Sequence, residues 1–135
     1  MVTLELPFPP SVNAIWRFSG KSAYVSKQYS SWQKEADAHF LEQKSKKTVG
    51  TPIKGAFEVH MTFSETKRRW NTDLDNRIKV TLDALQRFDL IENDSKCQKL
   101  TATWGPVECG VFIRAFKFTD TPNGPRSKAT LIAAG

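Results

Sequence analysis

The segment Phe57-Glu58-Val59-His60-Met61-Thr62-Phe63 constrains the fold more than any other stretch of the chain. Four apolar residues alternate with three polar ones, the two-residue period of a strand with one buried face. Such a strand needs a second layer to cover that face. Two segments of helical period can supply it. From Ser26 to about Lys47, the residues Tyr29, Trp32, Ala36 and Phe40 fall on one stripe. Ser26 suits the N-cap, and Lys44, Lys46 and Lys47 suit the negative end of the helix dipole. From Asp73 to Arg87, the residues Leu74, Ile78, Leu82 and Leu85 form an apolar face, and Thr72 with Asp75 resembles a capping box.

The remaining elements are shorter. Val2, Leu4 and Leu6 alternate with polar neighbours until Pro7, Pro9 and Pro10 stop the strand. Ile15–Phe18 and Ser22–Val25 flank Ser19-Gly20-Lys21 and predict a hairpin. Gly50 to Gly55 reads as a loop. Lys99–Trp104 and Gly110–Phe118 read as a closing pair of strands joined through Gly105-Pro106. The order predicts an α+β, two-layer fold: a small mixed β-sheet with two helices packed on one face. A chain of 135 residues has room for one modest core. Residues 1–118 are expected to form a single domain, and 119–135, turning to Pro, Gly, Ser and Lys, a flexible C-terminal tail.

Lys and Arg total 20 against 14 Asp and Glu, a net charge of +6 that favours polyanionic partners such as nucleic acid or an anionic membrane surface. No apolar run approaches a membrane span, and the opening residues Met1 to Leu6 lack the pattern of a signal peptide. The expected location is therefore cytoplasmic. Cys97 and Cys109 are too few for a disulfide framework and lack zinc-site spacing, so both are expected to be reduced strand residues. There is no Gly-rich phosphate loop, hence no nucleotide cofactor is expected, and no Ser or Cys sits in a nucleophile motif. His39 and His60 stand alone and read as structural or solvated. Trp16, Trp32 and Trp104 read as core or interface residues.

The densest chemical signal is Asp73-Leu74-Asp75-Asn76-Arg77-Ile78-Lys79. Two carboxylates one residue apart at a helix start are held ionised by the dipole. Lys79 lies one turn beyond Asp75, and Asp94, after a helix and a turn, can fold back beside the helix start. Mg²⁺ takes hard oxygen ligands and leaves sites for water and phosphate, which this set would satisfy. Spacing alone leaves a second reading open, in which the acids only cap the helix and Asp75 pairs with Lys79. Asp83 continues the same stripe and reads as a partner that positions Lys79. Lys67, Arg68 and Arg69, just before the acids, suit phosphate contacts, or a solvated loop. Trp70 suits stacking on a base, or packing beneath the helix.

Pro9-Pro10-Ser11-Val12-Asn13, then Asp73-Leu74-Asp75-Asn76 with Lys79, then Asp94, together resemble the RusA family of Holliday junction resolvases. The resemblance runs from about Leu4 to Phe118. It implies a structure-selective endodeoxyribonuclease that uses Mg²⁺, with Mn²⁺ able to substitute. It implies a homodimer making paired symmetric nicks in a four-way DNA junction, in recombination and repair, from a bacterial or phage source. The matching residues are Asp73, Asp75 and Asp94 as metal ligands and Lys79 as the catalytic lysine. Asn13, Arg17 and Arg77 join Lys67, Arg68, Arg69 and Trp70 as expected DNA contacts. One departure is Asn93, where some members carry a second acid, and Glu92 is the residue nearest to compensating. Two rival readings are an inactive branched-DNA-binding module and a metal-dependent nuclease acting on flaps or RNA.

Overall fold

The computed structural model describes residues 1–20, 22–67 and 73–117, in which the chain runs β1 (Val2–Glu5), β2 (Trp16–Ser19), β3 (Ser22–Val25), α1 (Lys27–Ser45), β4 (Phe57–Ser64), α2 (Asp75–Arg87), β5 (Cys97–Gly105) and β6 (Cys109–Ala115). The expected tail, 119–135, lies outside the described residues. No helix among those described is long and apolar enough to cross a membrane.

A four-stranded sheet has the order β1-β6-β4-β5, and β2 and β3 form a separate two-stranded ribbon. β4 is a central strand. Its apolar side chains Phe57, Val59, Met61 and Phe63 are all buried, as the alternation predicts. β4 pairs antiparallel with β6 and parallel with β5. The expected closing pair is thus corrected: β5 and β6 do not pair with each other but flank β4. The reason is physical. A strand this apolar is most stable with both edges occupied, and parallel β4 and β5 require a crossover, which α2 supplies.

α1 begins as expected, with the Ser26 hydroxyl accepting from the Tyr29 amide at 3.1 Å. Its stripe of Tyr29, Trp32, Ala36 and Phe40 enters the same core as the β4 face. Phe40 stacks on Phe88 at 4.4 Å, joining the two helices. The inward face of α2 is rotated from the expected one. Val80, Thr81, Leu82, Ala84 and Leu85 are buried, whereas Leu74 and Ile78 are only partly covered. Small residues at 80, 81 and 84 let the helix sit close to the sheet. The buried Thr81 hydroxyl is satisfied by the Arg77 carbonyl at 2.9 Å.

The outer edge of β1 is covered. Gln43 on α1 accepts from the Glu5 amide at 2.8 Å and donates to its carbonyl at 2.6 Å. The Thr3 amide donates to the Val49 carbonyl at 2.9 Å. Gly50 follows with a φ of 97°, and a Cβ there would meet the Met1 carbonyl oxygen at 2.1 Å, so only glycine permits this approach. These contacts leave β1 no free edge along its middle, a common guard against sheet-to-sheet association.

Candidate active site

The acids enter from two places. Asp73 is exposed and precedes α2; Asp75, also exposed, is its first residue. Leu74 occupies the cap position and makes no side-chain cap bond. The expected capping box rests on Thr72, which lies outside the described residues.

Asp94 opens a single 3₁₀ turn, Asp94–Lys96, directly before β5. Lys79 reaches it. The Lys79 ammonium donates to Asp94 Oδ2 at 2.9 Å and lies 3.0 Å from Asp83 Oδ1. All three side chains are between one-third and about one-half exposed. The hydrogen bonds it donates to Asp94 and Asp83 push the Lys79 pKa above its ordinary value. The same bond, followed by the lysine charge, holds the Asp94 carboxyl below the usual carboxylate range. The expected role of Asp83 as a partner of Lys79 matches this geometry.

The donor chemistry suits a hard divalent cation, since it offers carboxylate oxygens with no thiolate or imidazole among them. Asp75 has no ion-pair partner among the described residues. The three acids are not gathered into one cluster, however: among the described residues no group of three His, Cys, Asp or Glu lies close enough to hold a metal ion. Lys79 pairs with Asp94 and Asp83 and, among the described residues, with neither Asp73 nor Asp75.

Arg77, one of the expected DNA contacts, also makes contacts within the chain. It is half-buried; Nη1 donates to the Pro9 carbonyl at 3.0 Å and the guanidinium lies 5.1 Å from the Phe8 ring centroid. Phe8 in turn meets Phe63, at the end of β4, edge-on at 6.5 Å. Nε of Arg77 is buried with no hydrogen-bond partner among the described residues. Burial pushes the Arg77 pKa down while the Asp73 charge pulls it up. Arg77 thus brackets the proline segment to the start of α2, beside the acids.

Other expected site residues fall as follows. Asn13 is exposed within the 3₁₀ turn Val12–Ala14, which packs on α2. Arg17 belongs to β2. Lys67 is exposed at the end of a 3₁₀ turn following β4. Arg68, Arg69 and Trp70 lie outside the described residues. The side chain of Asn93 caps the Asp94 turn, accepting from the Ser95 amide at 2.8 Å, and Glu92 accepts from the Gly55 amide. Both are therefore engaged in holding loops. Trp32 is core and donates to the Pro7 carbonyl at 3.0 Å, Trp104 is partly buried, but Trp16 is 53% exposed.

A second charged cluster escaped the sequence reading. Glu58 is buried, though it belongs to the polar face of β4. It accepts from Arg114 Nε and lies 3.3 Å from His60 Nε2. His60 therefore has a partner after all. Burial pushes the Glu58 carboxyl up, but the bonds from Arg114 and His60 outweigh it and leave the group below its ordinary value. Only the β4–β6 register, which sets Glu58 opposite Arg114, reveals the pair.

Comparison with known proteins bears on the same segments. Residues 7–115 match the family Endodeoxyribonuclease RusA. A crossover junction endodeoxyribonuclease from Enterobacteria phage HK97 is 31% identical over 91 residues, covering 67% of this chain and 72% of the relative. The match takes in the proline segment, the acids of α2, Lys79 and Asp94 together, and by it the chain belongs to the RusA family of endodeoxyribonucleases.

Proposed function

We propose that this chain resolves four-way DNA junctions by Mg²⁺-dependent hydrolysis, as a homodimer making paired symmetric nicks. The similarity to a phage crossover junction endonuclease supports the substrate. The observation that carries the chemistry is the Lys79 ammonium, one turn beyond Asp75, holding Asp94 at 2.9 Å from beyond the end of α2. In this reading Asp73, Asp75 and Asp94 hold the metal, and Mn²⁺ can replace Mg²⁺.

A bound Mg²⁺ would supply a polarised phosphate and a hydroxide nucleophile at neutral pH. The chain's own residues do the rest. Asp73 and Asp75 offer carboxylate oxygens at the helix start. Lys79 stays protonated and donates to a phosphate oxygen as negative charge builds there. Asp83, 3.0 Å from Lys79, keeps the ammonium directed along the helix when Asp94 is otherwise engaged. Lys67, Arg68, Arg69 and Trp70, with Asn13 and Arg17, contact the flanking strands, and Arg77 keeps the proline segment fixed. A two-fold dimer suits a junction of near two-fold symmetry that needs two cuts. Products would carry a 5′-phosphate and a 3′-hydroxyl, and the work would be done on DNA in the cytoplasm.

The test is a comparison of a four-way junction, a linear duplex, a flap and RNA at one salt concentration, since affinity depends steeply on salt. The parent protein should cut the junction best, only with a divalent metal, and in pairs. Asp75→Asn should lose cutting yet bind the junction as well or better, having shed negative charge facing phosphate. Preferred cutting of flaps or RNA would replace the substrate assignment. Tight junction binding with no cutting in Mg²⁺ or Mn²⁺ would leave only a binding module.

A further inference from the structure

The stretch from residue 6 to residue 34 contains no Asp or Glu, yet it carries Arg17, Lys21, Lys27 and Lys34. Its middle is the ribbon of β2 and β3, which belongs to neither face of the main sheet. Trp16 is 53%, Tyr24 50% and Val25 38% exposed, three of the most exposed large apolar residues among those described. Trp16 and Val25 are cross-strand partners and share one side of the ribbon, and Tyr24, opposite Arg17, belongs to the other. Each side of the ribbon therefore carries an aromatic residue that is about half exposed. Single exposed apolar residues are ordinary, but a concentration of this kind marks an interaction surface.

The ribbon is rooted beside the acids. The 3₁₀ turn Val12–Ala14 that leads into β2 packs on α2. At the base, the Ser26 amide donates to the Ile15 carbonyl at 2.7 Å, and Ser26 caps α1. Just upstream, Arg77 fixes Pro9 to α2. The ribbon is thus an arm with a fixed origin close to Asp73 and Asp75.

Aromatic residues in a stretch that carries cations and no acid suit unstacked bases flanked by phosphates. A two-stranded ribbon is also narrow enough to enter a groove of duplex DNA. The centre of a branched DNA exposes base-pair faces that have lost a stacking neighbour. Resting on the junction-resolving reading above, we propose that the β2–β3 ribbon is a DNA-holding arm whose Tyr24 and Trp16 stack on bases exposed at the branch point. A second copy of the chain fits less well as the occupant. Two such arms meeting about a two-fold axis would bring like charges together.

The experiment measures binding of the full chain to a four-way junction and to a linear duplex across a salt series, with sedimentation of the free protein. Tyr24→Ala and Trp16→Ala should each weaken junction binding about 5- to 100-fold, the range expected for loss of one stacked base. Duplex binding should change less. The slope of log affinity against log salt should stay at the parent value, since no cation is removed. Tyr24→Phe, which keeps the ring, should retain parent affinity. Junction affinity within twofold of the parent for both alanine variants would overturn the proposal. So would loss of affinity traced to a smaller sedimenting species, which would make the arm a contact between copies. Should Trp16→Ala fold poorly, the half-exposed Tyr24 pair of variants decides alone. A parent protein that neither binds nor cuts a junction would refute the junction reading instead, a result distinct from variants matching an active parent.

Discussion

Two carboxylate–cation clusters in this molecule invite comparison, one on α2 and one on the sheet face turned away from the helices. On the sheet, Glu58 is buried and held by Arg114 and His60, its partners coming from strands already locked in register. On α2, Lys79, Asp83 and Asp94 are all substantially exposed, and Asp94 arrives on a short turn. The first cluster has nowhere else to go, because breaking it would leave a buried carboxylate without a partner. The second can exchange partners at little cost, since water and phosphate can replace each contact. A carboxylate–cation pair is structural where its carboxylate is enclosed, as at Glu58, and available for chemistry where both partners are open.

The largest effect that would sharpen this contrast is on cleavage. Lys79→Ala should lower kcat for junction cutting by about 100- to 1000-fold, the loss typical of one transition-state donor. Its thermal stability should fall by no more than about 1 kcal/mol, as for an exposed pair. Equal losses in cutting and in junction affinity would reduce Lys79 to a phosphate contact.

Glu58→Gln should do the reverse. Stability should drop by about 1–3 kcal/mol, the worth of hydrogen bonds to a charged group, with cutting unchanged at temperatures where the protein is folded. The pH dependence carries a sign that can be checked. Glu58 titrates lower in the folded chain than the ordinary 4.5, so its contribution is fully present above that value and is lost as pH falls through the lowered one. Denaturant titrations from pH 6 downward should therefore show a shallower acid decline for Glu58→Gln than for the parent. An identical decline would mean that Glu58 gains nothing from its partners.

The smallest effect belongs to a third pair. Asp37 and Arg87 meet at 2.9 Å across the two helices, both partly exposed, with Arg87 also lying over the Phe88 ring. Asp37→Ala should change stability by less than about 1 kcal/mol and leave cutting alone. A larger loss would show that an open ion pair can hold the helices together, against the contrast drawn above.

Much of this was legible in the sequence, and for identifiable reasons. β4 and α1 declared themselves because a two-residue or helical period over many positions admits few other folds. Ser26 was readable as a cap because its chemistry is local. The neighbours of β4 were not readable: a Gly-Pro between two strands suggests a hairpin, and only a crossover of the parallel kind places β5 and β6 on either side. The inward face of α2 differs from the apolar period because Leu74 and Ile78 match it but lie toward the helix start, while Val80, Thr81, Ala84 and Leu85 are fully buried. Glu58 and Arg114 are 56 positions apart, so no spacing rule connects them. Arg77 carried the signal of a DNA contact in its charge; its bond to Pro9, 68 positions upstream, is visible only in three dimensions. The acids read as a set from spacing alone, because Asp75 and Lys79 share α2, Asp73 just precedes it and Asp94 follows after a single return; among the described residues they do not form one cluster.

In the proposed function Asp73, Asp75 and Asp94 hold a divalent metal, with Lys79 bound to Asp94. Electron paramagnetic resonance of Mn²⁺ titrated into the full chain tests it most directly, because bound and free ions are counted separately and no cleavage is required. The parent should remove Mn²⁺ from solution, Mg²⁺ should compete it off, and Asp73→Asn, Asp75→Asn and Asp94→Asn should each reduce the uptake, with the triple variant abolishing it. Equal uptake by the parent and the triple variant would contradict the account.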